Sequence, residues 1–335
     1  MTLTRKLLRF FTLFLALTLA IAAGLYAWGY SKFHQLGPLS VEKIVIIPRG
    51  AGVDRIAQLL KQSDIIASPI VFGIGVRLQR IGKELQAGEF SFAPRMSLRD
   101  VAEHLRNGKT VIRRLTIPEG LSISEILTQI RRAGGMRGDV MKAMPIAEGT
   151  LLPETYYFSY GDSRESIIRR MQKDMISTLN RLWGQRAPGL PLSSKHDVLI
   201  LASIIEKETA VVQERAQISS VFINRLRKGM PLQSDPTVLY ALTKGMRDLG
   251  RSLTRTDLAF DSPFNTYRRK GLPPGPICNP GRAAIEAVLH PAQTNALYFV
   301  ADGKGGHAFA RTLKEHNRNV ARWRKWQKQN NASKP

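Results

Sequence analysis

The first thirty residues constrain this chain more than any other part of its sequence. Arg5, Lys6 and Arg9 are followed by a stretch that carries no charge before Lys32. The apolar residues 10–28 are long enough to cross the hydrocarbon layer of a membrane as one helix, which needs about 20 residues. Because positively charged flanks stay on the cytoplasmic side, we expect the N-terminus inside the cell and the rest of the chain outside.

A cleaved signal peptide is the alternative interpretation of this segment. Residues 20–22, Ala-Ile-Ala, fit the small-residue pattern of a cleavage site. The apolar character continues beyond them, however, into Tyr26, Trp28 and Tyr30, which are typical of an aromatic belt at the outer membrane surface. The sequence therefore favours an uncleaved anchor.

Length and charge narrow the classes of partner. The chain has 335 residues, enough for two ordinary domains, and a formal net charge of +24. That charge favours an anionic partner: nucleic acid, an acidic membrane face or an acidic polymer. Nucleic acid conflicts with the expected export, and the chain carries no recognised nucleic-acid motif.

Cysteine and histidine usage argues against metals and disulfides. Cys278 is the only cysteine, so no intramolecular disulfide can form, and the six histidines are scattered. A zinc site needs clustered cysteine or histidine ligands, so we expect no metal and no cofactor.

A strand–turn–helix pattern occurs twice after the anchor. The stretches IPRGAGVDRIAQLL, from Ile47, and IPEGLSISEILTQI, from Ile117, lie 70 residues apart and share their turn and apolar positions. The shared positions are Pro48 and Pro118, Gly50 and Gly120, Val53 and Ile123, Ile56 and Ile126, and Leu60 and Ile130. Two copies are too few for a solenoid and predict a small α+β module with related halves.

The rest of the chain alternates short strands with amphipathic helices, which predicts the α+β class. Strands are expected within residues 41–50 and 85–94, a hairpin within 296–311, and helices within 53–66, 68–82, 97–109, 164–186, 194–208, 217–230, 231–245, 281–291 and 312–329. Residues 135–164 are turn-rich and aromatic, without a clear period.

Two glutamates end the apolar stretch HDVLILASIIEKE. Glu206 and Glu208 lie about 200° apart around a helix axis, so they cannot point into one pocket. Glu208 shares the side of Leu201 and Ile204, where lost hydration would favour the protonated carboxyl group. The alternative is an ordinary helix end that reaches water. One acid is enough for glycosidic cleavage only if the nucleophile belongs to the substrate, since ordinary glycosidases use two carboxylates.

Several motifs resemble one enzyme family over nearly all of the chain after the anchor. They are IPEG, LLPETYYF, LASIIEKETAVVQER, VFINRLRKGMPLQSDPTVLYAL, PFNTYRRKGLPPGPICNPG and VADGKGGHAFA. Together they resemble the YceG-like (MltG) endolytic murein transglycosylases. The resemblance implies an N-terminal transmembrane helix, a small LysM-like α+β module that holds glycan, and a larger mixed α+β catalytic domain. The implied organisation is residues 1–9 cytoplasmic N-terminus, 10–30 transmembrane anchor, 31–40 linker, 41–134 LysM-like module, 135–328 catalytic domain and 329–335 disordered tail.

The resemblance also implies a reaction and a location. Such enzymes are lyases that cut the bond from N-acetylmuramic acid to N-acetylglucosamine in peptidoglycan and leave a 1,6-anhydro-muramyl end. The catalytic glutamate of the family matches Glu208. The expected site is the periplasmic face of the inner membrane, with nascent glycan strands as substrate, membrane lipid around the anchor and peptidoglycan synthases as partners. A non-catalytic, membrane-anchored peptidoglycan-binding scaffold is the alternative, although the intact EKET, NTY and SDP motifs favour the enzyme.

Other polar residues are candidates for supporting roles. Glu206 is expected to support Glu208, and Asn224 either orients the acid or caps a neighbouring turn. The remaining candidates lie in loops and could bind sugar, cap a helix or pack: Gln233, Ser234, Asp235, Asn265 and Tyr267. Glu154 is a less favoured second acid, because acids in turn-rich segments are commonly solvated.

Overall fold

The structure, a computed structural model, describes residues 2–140, 146–246 and 249–331. Its internal contacts divide the chain into two compact units. The first unit runs to Arg113 and includes residues 158–161, and the second contains residues 114–157 and everything after residue 161. The chain passes between the units within the paired strands β3 (Ile112–Thr116) and β4 (Thr155–Ser159).

The first unit begins with the long apolar helix α1 (Thr2–His34). Its segment Leu7–His34 is long and apolar enough to cross a membrane, as the sequence predicts. The elements after it are β1 (Lys43–Ile47), α2 (Val53–Gln62), α3 (Pro69–Leu78), β2 (Gly88–Phe92) and α4 (Leu98–Asn107). Strands β1 and β2 pair antiparallel with Val45 opposite Phe90, and they pack with the helices around a core that contains Leu60, Phe72 and Phe92.

The repeat predicted from the sequence is confirmed. Helix α5 (Ile123–Arg132) begins and ends 70 residues after α2, and each follows a strand and a turn. Gly50 and Gly120 hold those turns with φ of 77° and 78°. Only glycine adopts such left-handed angles without steric cost, so the same local sequence produces the same local bend.

The second unit is built around α7 (Lys195–Glu208). Its other elements are α5, α6 (Arg164–Gly184), a 3-10 turn (Val212–Glu214), α8 (Arg215–Arg227), α9 (Asp235–Thr243), α10 (Arg255–Leu258), α11 (Arg282–Leu289), β5 (Tyr298–Ala301), β6 (His307–Ala310) and α12 (Leu313–Asn331). Helices α6, α8, α9 and α11 all contact α7. Residues 198–205 of α7 are all buried. This explains why the sequence of the helix is continuously apolar here and lacks an amphipathic pattern.

The mixed α+β class is therefore confirmed, and two local predictions need correction. Residues 155–159, predicted to be irregular, form strand β4, because their alternating burial was hidden by flanking turn residues. Helix α12 continues to Asn331, past the predicted start of the tail at residue 329, and residues 332–335 lie outside the described chain. The LysM-like character of the front module stays a prediction.

Candidate active site

Helix α7 is a buried helix that carries both glutamates in its last turn. It starts with a capping box, in which the Ser194 side chain and the Asp197 carboxylate each accept a hydrogen bond from the other residue's backbone N–H. It ends at Glu208, because Thr209 is in an extended conformation. The start signal and the apolar run in the sequence are thus enough to place Glu208 at the C-terminal end of a core helix.

The surroundings of Glu208 favour its protonated form. Burial is the largest effect and raises the pKa of Glu208 to about 7, with Asp235 adding to the rise. A hydrogen bond from Ser234 and the nearby side chains of His307 and Arg225 oppose this rise in the pKa. The partial negative charge at a helix C-terminus also disfavours a carboxylate there. Glu208 can consequently hold a proton at neutral pH and give it to a bound group.

Ser234 is the hydrogen-bond partner of this carboxyl group. It is the N-cap residue of α9, but its side chain accepts no hydrogen bond from the backbone N–H groups of that helix. Its buried hydroxyl instead donates to Glu208 Oε1 at 2.5 Å. The preceding residue, Gln233, has a left-handed φ of 53°, and the Ser234 N–H donates to Thr266 Oγ1 at 3.0 Å. A fixed turn therefore holds the hydroxyl on the acid.

Asp235 and Tyr267 form a second polar pair next to Glu208. The Tyr267 hydroxyl donates to Asp235 Oδ1 at 2.6 Å. Burial and then Asp235 raise the pKa of Tyr267, so the phenol stays a hydrogen-bond donor. Gln233 and Asp235 are exposed on either side of the buried Ser234, which leaves both able to meet a substrate.

The two asparagines among the candidates hold loops. Asn265 is fully buried, with its Nδ2 donating to the carbonyls of Leu258 and Phe260 and its Oδ1 accepting from the Tyr267 N–H. Asn224 Nδ2 donates to the carbonyls of Thr294 and Ala296. Neither amide forms a hydrogen bond with Glu208; each one holds two backbone carbonyls of a loop.

Glu206 has different partners on the other side of α7. Its side chain is 4% exposed, and Oε1 lies 2.6 Å from Nη2 of Arg215, itself 5% exposed. Oε2 accepts from the Gly281 N–H at 2.8 Å. Burial raises the pKa of Glu206, and Gly281 and Arg215 oppose the rise. Both carboxylate oxygens are thus occupied by the protein itself.

The turn of the second repeat copy completes this cluster. Glu119 lies 3.1 Å from Arg215 Nη2, so one buried guanidinium joins two carboxylates. Gly281 packs so closely on Glu119 that a Cβ atom at that position would overlap its carboxyl group. The end of α7 is therefore held by the IPEG turn and by the segment that leads into α11.

Comparison with known proteins identifies the family. The model of the YceG-like family matches residues 45–322. The chain belongs to the YceG-like family. The resemblance inferred from the motifs is thereby confirmed.

Curated relatives of this YceG-like chain carry one functional name. A protein of Bacillus subtilis named endolytic murein transglycosylase is 35% identical over 330 residues, which cover 89% of each chain. A Streptococcus pneumoniae protein of the same name is 29% identical and matches 93% of this chain, which spans 64% of the pneumococcal length.

A solved structure has a similar fold. It is the crystal structure of a YceG-like protein from Listeria monocytogenes, 34% identical, with a TM-score of 0.50. The match covers 83% of this chain and 98% of the Listeria chain. The YceG-like fold of this chain is thus shared with a solved relative.

Sequence reasoning missed a histidine near the acid of this YceG-like chain. His307, the first residue of β6, binds Glu214 twice: Nδ1 lies 2.7 Å from Oε2, and the backbone N–H donates to Oε1 at 2.8 Å. The ring packs edge-on against Phe299. Because Glu214 occupies Nδ1, Nε2 is the ring nitrogen that remains for another contact. His307 and Glu214 are 93 positions apart, so no local sequence pattern could pair them.

Sequence reasoning also missed Glu148, a second carboxyl group with a shifted pKa. Burial raises the pKa of Glu148 to about 7. Both of its oxygens accept from the Ile123 N–H at 3.1 Å, and Asn279 Nδ2 donates to Oε2 at 3.2 Å. It therefore serves the first turn of α5. Glu154, the less favoured second acid of the sequence analysis, is exposed.

No group of three or more metal-ligating side chains occurs among residues 2–140, 146–246 and 249–331.

Proposed function

We propose that this chain is a membrane-anchored endolytic lytic transglycosylase of peptidoglycan, with Glu208 as its acid and base. The observation that carries the proposal is the contrast between the two glutamates of α7. Glu208 has a pKa raised to about 7 and one hydrogen-bond donor, Ser234. Glu206 has both oxygens bound by Arg215 and Gly281. The names of the relatives support the substrate class.

A single proton-carrying group is sufficient for this reaction. Protonated Glu208 gives its proton to the glycosidic oxygen as the bond from muramyl C1 to that oxygen breaks. The C6 hydroxyl of the same muramyl residue then closes on C1 and returns its proton to Glu208. The products are a 1,6-anhydro-muramyl end and a free N-acetylglucosamine hydroxyl, and no water is consumed.

The nearby side chains suit supporting roles. Ser234 holds one carboxyl oxygen, so the proton resides on a group of fixed orientation. Asp235 and Tyr267 offer a carboxylate and a phenol for sugar hydroxyls or acetamido groups. His307, fixed by Glu214, presents Nε2 as a further polar contact, and Gln233 is exposed at the same turn.

The apolar α1 supports a single-pass anchor. We place residues 1–9 in the cytoplasm, the anchor at 10–30 in the inner membrane and the remainder in the periplasm, where nascent strands emerge beside peptidoglycan synthases. Residues 41–134 would hold glycan as a LysM-like module, and residues 135–328 would cut it. An enzyme so placed would end strands during their synthesis.

Product analysis by mass spectrometry tests the proposal. Full-length protein in detergent is incubated with uncrosslinked peptidoglycan strands, beside the variants Glu208→Gln and Glu286→Gln. Glu286 is a partly exposed glutamate of the same unit that pairs with Arg282, which makes it a matched control. We expect internal cuts with anhydro-muramyl ends, and a rate that falls by about 10²–10⁴-fold in Glu208→Gln alone, the usual share of a general acid and base.

Each other outcome would contradict a different part of the proposal. Reducing ends would identify a hydrolase, with a second carboxylate and an attacking water. An active Glu208→Gln would place the acid elsewhere. Strand binding without cleavage by the wild-type chain would identify the scaffold instead.

A further inference from the structure

Helix α3 exposes an apolar stripe that the first unit does not bury. Ile70, Ile74 and Leu78 are 73%, 51% and 70% exposed. At about 100° per residue they fall within an arc of about 80° on one side of the helix. Large apolar residues spaced four apart on the outside of a helix are unfavourable in water and indicate contact with an apolar surface.

The other sides of α3 are accounted for. Phe72 and Val76 belong to the core of the first unit. Gly75 faces α1, and the contact is so close that a Cβ atom there would overlap the Phe33 ring. Arg77, at the edge of the stripe, pairs with Asp54 and remains 56% exposed. The stripe is therefore a distinct face between the α1 contact and a cation.

Two residues of this stripe, Ile74 and Leu78, lie beside the aromatic belt on α1. A cavity of about 710 Å³ lies between the two helices, next to the contact of Gly75 with Phe33. Leu25, Tyr26 and Trp28 line it from α1, while Ile74 and Leu78 line it from α3. Tyrosine and tryptophan of an anchor reside at the boundary between acyl chains and headgroups. Since Ile74 and Leu78 share a cavity with the belt, a membrane that surrounds α1 reaches them as well.

We propose that α3 is a second membrane contact, with Ile70, Ile74 and Leu78 inserted in the outer interface of the bilayer that α1 crosses. The inference rests on the anchoring proposed above. The stripe continues the lipid-facing surface of α1, and Arg77 lies where a lipid phosphate is available to it. Insertion of these three aliphatic side chains favours membrane binding, because it removes their apolar surface from water. The contact fixes the first unit on the membrane instead of leaving it on a free tether.

Spin labelling of the full-length chain in lipid nanodiscs tests this inference. A nitroxide is attached to Ile74→Cys, to Ile44→Cys and to Leu15→Cys in separate samples. Ile44 is a matched control, an isoleucine of the same unit that is 55% exposed but lies on β1. Leu15 lies within the apolar segment of α1. The native Cys278 is buried, and labelling of the wild-type chain measures its background.

Relaxation of the nitroxide by oxygen, which partitions into lipid, is compared with its relaxation by a water-soluble nickel chelate.

We expect the ratio of oxygen to nickel relaxation at Ile74 to approach that at Leu15 and to exceed that at Ile44 at least threefold. A water-like ratio at Ile74 with a lipid-like ratio at Leu15 would overturn the inference and leave the anchor intact. Water-like ratios at both positions would overturn the anchor and, with it, the inference. Protection of Ile74 from both reagents would also overturn it, since a protein partner or a second copy would then cover the stripe.

Discussion

The two strand–turn–helix copies have the same local structure and different surroundings. Both helices are ten residues long, and both turns bend at a left-handed glycine. Around Gly50 the described residues leave open space, whereas a Cβ atom at Gly120 would lie 3.5 Å from Glu206 and 3.7 Å from Lys207. The turn at Gly50 faces solvent, and the turn at Gly120 supports the end of α7.

The difference follows from a few substituted positions. The residue between the proline and the glycine is Arg49 in the first copy and Glu119 in the second. Arg49 is exposed, and Glu119 pairs with the buried Arg215. Gly120 N–H donates to the Asn279 carbonyl, and Lys207 Nζ donates to the Gly120 carbonyl at 3.3 Å. A repeated local fold thus acquires a role at the candidate site through the side chains that it presents.

The largest effect is expected at the cation that joins the second copy to α7. Arg215→Met leaves Glu206 buried with its main cation removed, which should destabilise the chain by about 3 kcal/mol. Chemical denaturation of the full-length protein in detergent measures the change. The double variant Arg215→Met with Glu206→Met should recover most of the loss, because the only carboxylate that then lacks Arg215 is Glu119, whose side chain is 41% exposed to solvent. Equal stability of the single variant and the wild type would remove Arg215 from this role.

A pH profile of activity tests the role of Glu208, the last residue of α7. If protonated Glu208 is the acid and its pKa is about 7, kcat/KM should fall about tenfold per pH unit above that value. Ser234→Ala removes a donor that stabilises the carboxylate, so the pKa of Glu208 rises and the alkaline limb moves to higher pH. The pKa of Glu208 also depends on Asp235, His307 and Arg225, which are unchanged in this variant. A limb that moves to lower pH would contradict the assignment.

The helix caps differ between the copies and should respond with opposite signs. Ser122 forms a capping box with Glu125 and also donates to the Gly245 carbonyl at 2.6 Å. Ser122→Ala should cost about 1–2 kcal/mol, as for other caps. Gly52 occupies the same position in the first copy without a side-chain cap, so Gly52→Ser should be neutral or stabilise by a few tenths of a kcal/mol. Thermal melts of both variants measure this, and a loss of equal size in both would break the comparison.

The smallest effect on stability is expected at the central residues of the two turns, Glu119 and Arg49. Glu119 is 41% exposed, so solvent weakens its pairing with Arg215, and Glu119→Ala should cost only about 1 kcal/mol. Arg49→Ala, an exposed change in the equivalent turn, should stay within about 0.5 kcal/mol. Thermal melts of the two variants against the wild type give the difference. A larger loss at Arg49 than at Glu119 would reverse our interpretation of the two copies.

Much of the fold could be predicted because its signals are local. The anchor, the repeated strand–turn–helix pattern and the hairpin each depend on residues a few positions apart. Strand β4 was missed because it is short and lies among turn residues, so its period of two is hard to distinguish. The family motifs pointed to Glu208, and the helical period separated it from Glu206.

The sequence by itself determined which glutamate ends each face of α7, where the chain would meet a membrane, and which local fold is used twice. Only the tertiary structure decided that Ser234 serves Glu208 rather than its own helix, that Glu206 is bound by Arg215 and Gly281, and that Glu214 orients His307. The physical reason is separation along the chain. Periodicity and capping act over one or two helical turns, whereas the Ser234, Gly281 and His307 contacts join residues 26, 75 and 93 positions apart, which packing of the core alone brings together.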